Sequence, residues 1–207
     1  EKVSDRQALA EAAGLTPVVM DVESYASRLA AGRVIEALPN RGQDALIALF
    51  EIGSNSTSLQ VIRNDDVIYE RDQMFGGAVL TQQISRQYGL TFEEADARKK
   101  LGDLPPDYAG KVLRPFMDSL GQEVGRALQF FFTSTPHNKV DHVLLSGGCA
   151  ALPGLVEAVA AQTAFACKVI NPFDGMILAP SVRASTLATE STSYLVATGL
   201  ALRRFHP

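Results

Sequence analysis

Apolar positions return every three to four residues over 5–13, 24–38, 77–88, 91–104, 111–133, 153–163 and 193–205, and this spacing predicts a helix in each stretch. Between them, short apolar or alternating runs at 16–22, 45–52, 56–63, 67–71, 140–145 and 165–170 predict strands. Punctuation supports the division. Ser4 and Ser24 read as N-caps, Gly14 and Gly89 as stops, and Thr91 with Glu94 as a capping box. Pro105 and Pro106 end one helix, and Pro39-Asn40-Arg41-Gly42 is a break that marks a domain boundary. Beyond it, three strands joined by tight turns, the second closed by Asn64-Asp65-Asp66, predict an antiparallel meander. Strand, helix, strand and helix then follow, and residues 171–192 form a connection rich in proline, serine and threonine. The order predicts an α/β fold with a mixed sheet and flanking helices.

Composition narrows the chemistry. At 207 residues and 46% hydrophobic content the chain can bury a substantial core, as one large domain or two small ones. A net charge of -4 gives no basic face for nucleic acid or an anionic membrane. Cys149 and Cys167 make no CxxC pair and His137, His142 and His206 no ligand cluster, so buried thiols in a reducing compartment are the simpler reading. No apolar run approaches the roughly 20 residues needed to span a bilayer, and no signal peptide is visible. These features point to the cytosol. Glu1 falls at the threshold of a predicted helix, which reads as a piece of a longer protein.

Two glycine turns carry the chemical signal. In Phe50-Glu51-Ile52-Gly53-Ser54-Asn55-Ser56-Thr57 an apolar strand delivers a carboxylate and then a hydroxyl-rich turn whose N–H groups can face a phosphate. Ordinary hairpin chemistry uses the same small residues. Glu51, flanked by Phe50 and Ile52, needs a partner, and a divalent cation or its water beside a phosphate is one candidate. In Leu145-Ser146-Gly147-Gly148-Cys149-Ala150-Ala151-Leu152-Pro153 the glycines let backbone pass close to a flat ligand before a helix begins. A third segment, Glu94 to Gly102, places Asp96 and Lys99 one helical turn apart on one face, either as a plain i,i+3 ion pair or as a ribose contact.

In this order the segments resemble the phosphate-2 turn, the acidic-x-x-Lys helix and the adenosine turn of the actin-like ATPase superfamily, which has a ribonuclease H-like fold. More narrowly, residues 69–84, the stretch 13–26, Gly147 to Leu155 and Tyr194 to Ala201 are similar to the PilM family of type IV pilus assembly proteins, relatives of the division protein FtsA. The resemblance implies an incomplete first actin-like domain in residues 1–40 and 193–207, and a second in 41–192 with a helical insertion at about 77–110. It implies ATP with Mg in the full-length protein, held by Glu51, Gly53, Ser54, Asn55, Ser56, Thr57, Asp96, Lys99, Gly147, Gly148, Cys149 and Leu152, with Glu51 toward the metal. The superfamily usually has aspartate where Glu51 stands, and no phosphate-1 turn precedes it, so this chain alone is expected to bind little nucleotide and to be at most a weak ATPase.

The implied role is a nucleotide-binding scaffold on the cytoplasmic side of the inner membrane, serving pilus biogenesis and twitching motility. Its implied partners are the N-terminal cytoplasmic peptide of PilN, other platform proteins and the motor ATPases. Two alternatives are a GspL-like type II secretion scaffold, which would continue into a transmembrane helix, and a sugar or acetate kinase, which would need an acceptor-site base. The two ends of the chain are expected to meet, Leu195, Leu200 and Leu202 facing Leu9 and Val18, and the uncovered apolar surface to favour a homodimer.

Overall fold

A computed structural model describes residues 2–205; Glu1, His206 and Pro207, which fall in the expected end segments, lie outside the described residues. Five strands, β1 (Ile47–Ile52), β2 (Thr57–Arg63), β3 (Asp66–Gln73), β4 (His142–Ser146) and β5 (Cys167–Val169), make one sheet in the order β3-β2-β1-β4-β5. β1, β2 and β3 pair antiparallel as the meander predicted; β4 joins β1 in parallel, and β5 joins β4. The eight α-helices among the described residues are α1 (Lys2–Ala12), α2 (Glu23–Ile35), α3 (Gly77–Tyr88), α4 (Phe92–Leu101), α5 (Arg114–Ser134), α6 (Leu155–Thr163), α7 (Ala184–Glu190) and α8 (Leu195–Leu202).

Side-chain alternation along β1 splits the core in two. Ala48, Phe50 and Ile52, with Leu59, Val61, Val143 and Leu145, face α3, α5 and α6, where Phe116, Leu120, Val124, Leu128 and Phe131 are buried. Ile47, Leu49, Ile62 and Leu144 face the other way, onto Ala30, Ala31, Val34 and Ile35 of α2 and Leu195 of α8. The sheet is therefore sandwiched between two helical layers. Asp141 accepts from Leu46 N–H at 2.9 Å and sets the start of β1, an interaction that holds its carboxyl below the usual range, Lys139 adding to it.

Both ends of the chain meet, but through different residues from those expected. α2 presents a stripe of small residues, and α8 sits so close that a Cβ at Gly199 would run into the Ala26 backbone. Arg203 also donates to Asp21 at 2.7 Å, an aspartate whose side chain is only 8% exposed. Leu195 is buried in this contact, whereas Leu200, Leu9 and Val18 remain exposed. Residues 16–22 carry no regular secondary structure and pair with no strand among the described residues, so the strand expected there is absent. Ser24 does not cap α2; Val22 occupies that place with no side-chain bond, and α1 starts at Lys2, before Ser4. The 171–192 connection holds the short helix α7, which the sequence reading missed.

Candidate functional site

Both glycine turns follow the carboxyl ends of neighbouring parallel strands, β1 and β4, the place where open α/β sheets bind ligands. In the first, Gly53 N–H donates to the Ser56 carbonyl at 2.9 Å, closing the turn. The Gly53 and Ser54 carbonyls then accept from Gly77 and Ala78 at 3.0 and 2.8 Å, satisfying first-turn donors of α3. That docking demands a bare backbone, because a Cβ at Gly76 would lie 2.5 Å from the Gly53 oxygen. What remains free is the outer rim: Ser54, Asn55 and Ser56 are exposed, and their N–H groups donate to no protein acceptor among the described residues. Thr57 turns inward instead, its hydroxyl donating to the Phe75 carbonyl at 2.7 Å.

In the second turn Gly147 is buried at φ 91, where a Cβ would strike the Ile52 backbone. Its N–H donates to the Thr192 carbonyl at 2.8 Å, and the Ser146 hydroxyl donates to the same oxygen at 2.9 Å. Gly148 is exposed, with only Ser193 Oγ near the place of a Cβ, at 3.5 Å. Cys149 is buried between the turns, its Sγ 3.7 Å from the Gly53 oxygen and close against Gly77. Burial pushes its thiol pKa up and nearby Lys99 pulls it partly back, so the side chain is a packing group rather than a nucleophile. Leu152, partly buried, packs against the larger core.

The Asp96–Lys99 pair forms at 2.9 Å, and Lys99 also donates to Thr81 Oγ1 near the start of α3. Lys100 reaches Asp96 at 2.6 Å, and these ammonium groups, Lys100 first, hold the Asp96 carboxyl below its usual range. Gly53, Cys149, Gly77, Thr81 and Lys99 thus form one continuous chain of contacts, which brings the three sequence-predicted segments together.

Glu51 leaves β1 on the α2 face. Ser27 Oγ donates to its Oε2 at 2.7 Å, and burial raises its pKa despite that bond, with Glu23 adding a smaller push. A cleft of about 540 Å³ opens beside it between α2 and the β2–β3 hairpin, lined among others by Glu23, Ser27, Glu51, Gly53, Ser56 and Gln60. None of Asp96, Lys99, Gly147, Gly148, Cys149 and Leu152 lines it. Sequence reasoning missed Ser27 and Gln60. Nothing local marks them, for Ser27 meets its partner across 24 residues of chain.

The exposed rim at 54–56 and open space at Gly148 fit a nucleotide's phosphates and adenosine. A protein-ligated metal fits less well: among the described residues no three His, Cys, Asp or Glu side chains group as ligands, and Glu51 has one oxygen committed to Ser27. A divalent ion would have to arrive on the phosphates, with Glu51 as a second-sphere acceptor.

A family model described as type IV pilus assembly protein PilM matches residues 1–205. Among solved structures, the PilM-PilN type IV pilus biogenesis complex is 28% identical with a TM-score of 0.76, over 94% of this chain and 55% of that one. The ethanolamine utilization protein EutJ from Carboxydothermus hydrogenoformans is 20% identical with a TM-score of 0.62, over 95% and 59% of the two chains. MreB 5 of Spiroplasma citri bound to AMPPNP is 15% identical with a TM-score of 0.61, over 97% and 64%. The present chain spans little more than half the length of the PilM chain it matches. No helix of the described residues is long and apolar enough to cross a membrane. The mixed sheet, its flanking helices and the family match agree, and the chain belongs to the type IV pilus assembly protein PilM family, with the actin-like ATPase fold.

Proposed function

We propose that this chain supplies the second-domain half of a nucleotide-binding scaffold in type IV pilus biogenesis, working on the cytoplasmic side of the inner membrane and in twitching motility. The observation that carries the reading is the joining of both glycine turns at the ends of β1 and β4, with Cys149 wedged between Gly53 and Gly77. Bound Mg-ATP would contribute charge and an ordered bridge between domains. For their part, Ser54, Asn55 and Ser56 offer N–H groups and hydroxyls to phosphates, Gly148 leaves room for the adenosine, and Ser27 fixes the Glu51 carboxylate. The arrangement suits binding better than turnover, because Glu51 is held by Ser27 rather than aimed at a water.

Residues 2–22, with no buried apolar side chain among them, belong in this reading to a first domain that the longer relatives complete. One arm of a two-armed phosphate clamp binds far more weakly than the pair. Calorimetry with Mg-ATP on this chain should therefore show no binding at micromolar concentrations, and a sub-micromolar dissociation constant overturns the two-armed picture. The PilN cytoplasmic peptide, the motor ATPases and other platform proteins are the partners this role requires. The exposed Leu9, Leu15, Val18 and Val19 also favour a homodimer of this chain. Light scattering tests that, and a monomer at high concentration counts against it.

A further inference from the structure

The cleft beside Glu51 has a second character that nucleotide binding does not use. Four carboxylates line it, those of Glu23, Glu51, Glu70 and Asp72, and the one basic residue on its wall, Arg71, places its guanidinium 3.9 Å over the Phe130 ring on the opposite side of the sheet. At its floor Gln60 is only 3% exposed, and its Oε1 has no hydrogen-bond partner among the described residues. A buried acceptor without a donor is destabilising, so the floor itself calls for a donor. Strand register arranges the acceptors as a lattice. Glu51 stands opposite Ser58 and Ser58 opposite Asp72, while Gln60 stands opposite Glu70. Glu51 and Gln60 are then diagonal neighbours about 7 Å apart. Glu70 and Asp72 stand two residues apart on one face of β3, again about 7 Å.

A single metal ion does not satisfy this layout, since no three of these groups come together as ligands among the described residues. A row of cationic side chains does. We infer that the cleft docks an extended peptide of a partner protein carrying arginine or lysine at alternate positions. Side chains two apart in an extended peptide share a face with the same spacing, so two of them meet Glu70 and Asp72, and the one at Glu70 can extend its donors across to Gln60 directly opposite. β3 is an edge strand with β2 as its one strand neighbour among the described residues, so its outer backbone is open to the same peptide. This inference does not depend on nucleotide binding, because the groups that meet the peptide, Glu70, Asp72 and Gln60, take no part in that site.

The test is fluorescence anisotropy with a short fluorescein-labelled peptide bearing arginine at alternate positions and serine and glycine elsewhere. The expected result is saturable binding that weakens with salt. The double variant Glu70→Gln, Asp72→Asn should weaken it about thirtyfold, since each of the two lost charge-assisted bonds contributes on the order of 1 kcal/mol at an exposed position. Both side chains are exposed, so folding should be unaffected, as circular dichroism can verify. Gln60→Leu, which removes the unpaired acceptor without leaving a void, should weaken binding severalfold while keeping the protein folded. Three outcomes overturn the inference: no binding, equal binding of a peptide with the same arginines placed contiguously, or displacement of the peptide by Mn²⁺ binding the same carboxylates.

Discussion

The turn after β1 and the turn after β4 occupy equivalent places at the ends of neighbouring parallel strands, and both rely on glycine, but for different reasons. At the first turn the need for bare backbone falls on its docking partner: Gly76 must let the Gly53 and Ser54 carbonyls come close, while Gly53 itself sits against only the Ser56 oxygen, 3.1 Å from a Cβ position. At the second, the requirement falls on one glycine of a pair. Gly147 has a positive φ and no room, whereas Gly148 has neither restriction. A glycine can therefore mark protein packed against protein or space left for something else, and only the three-dimensional neighbours tell which.

The severest challenge to this contrast is Gly147→Ala. The added methyl would meet the Ile52 backbone at the carboxyl end of the central strand, with left-handed strain in addition, and relief would pull at the adjoining Glu51–Ser146 end of the β1–β4 pairing. A loss of about 3–5 kcal/mol is expected, enough to leave little folded protein. Denaturant unfolding followed by circular dichroism measures it, and near-normal stability would mean that the two turns do not differ as described. Gly76→Ala comes next. Its φ of -171 suits any residue, so the whole cost is collision with the Gly53 and Ser54 carbonyls. The start of α3 can shift to relieve it, and roughly 2 kcal/mol is expected. Hydrogen exchange at Gly77 and Ala78 should rise in this variant if the collision undocks α3 from the turn.

Much of this arrangement was legible in the sequence where local physics decides it. The helix at 77–88 matches α3 residue for residue, and the Thr91–Glu94 capping box forms with both of its bonds. Failures came where a distant partner decides. Residues 16–22 have the apolar content of a strand, but a strand exists only when another pairs with it. α7 is built from small residues whose helical spacing is faint. At the candidate site, the sequence located both turns at strand ends, where the structure has them, without the division of labour inside them. The pair Gly147-Gly148 does not say which member bears the positive φ, and Thr57 reads as a turn hydroxyl although the β2 register sends it inward to Phe75.

A smaller effect concerns the carboxylate at the first turn. Glu51 has a folded-state pKa above the ordinary carboxylate value, with burial as its main cause. Between the ordinary and the raised value the folded protein binds more protons than the unfolded chain, so stability falls as pH rises through that window. The penalty is complete above the raised value and absent below the ordinary one, where both states are protonated. Glu51→Gln keeps an acceptor for Ser27 and removes the charge, and should raise the melting temperature at neutral pH by a few degrees. Its advantage should disappear in acid. A destabilised variant at neutral pH would show instead that the ionised carboxylate is structurally required.

The smallest effect on folding, and the sharpest test of the contrast, belongs to Gly148. No positive φ confines it and its Cβ position meets only Ser193 Oγ at ordinary contact distance, so Gly148→Ala should alter stability by no more than about 0.5 kcal/mol. Gly148→Val should also fold, since the position is exposed. If the space beside it belongs to an adenosine, the valine side chain occupies that space, and the full-length protein carrying it should lose ATP binding while its circular dichroism stays unchanged. The two glycines of one dipeptide would then separate cleanly, one needed for the fold and the other for the ligand. A folded Gly148→Val protein that still binds ATP normally would remove Gly148 from the site and leave the second turn with a structural role alone.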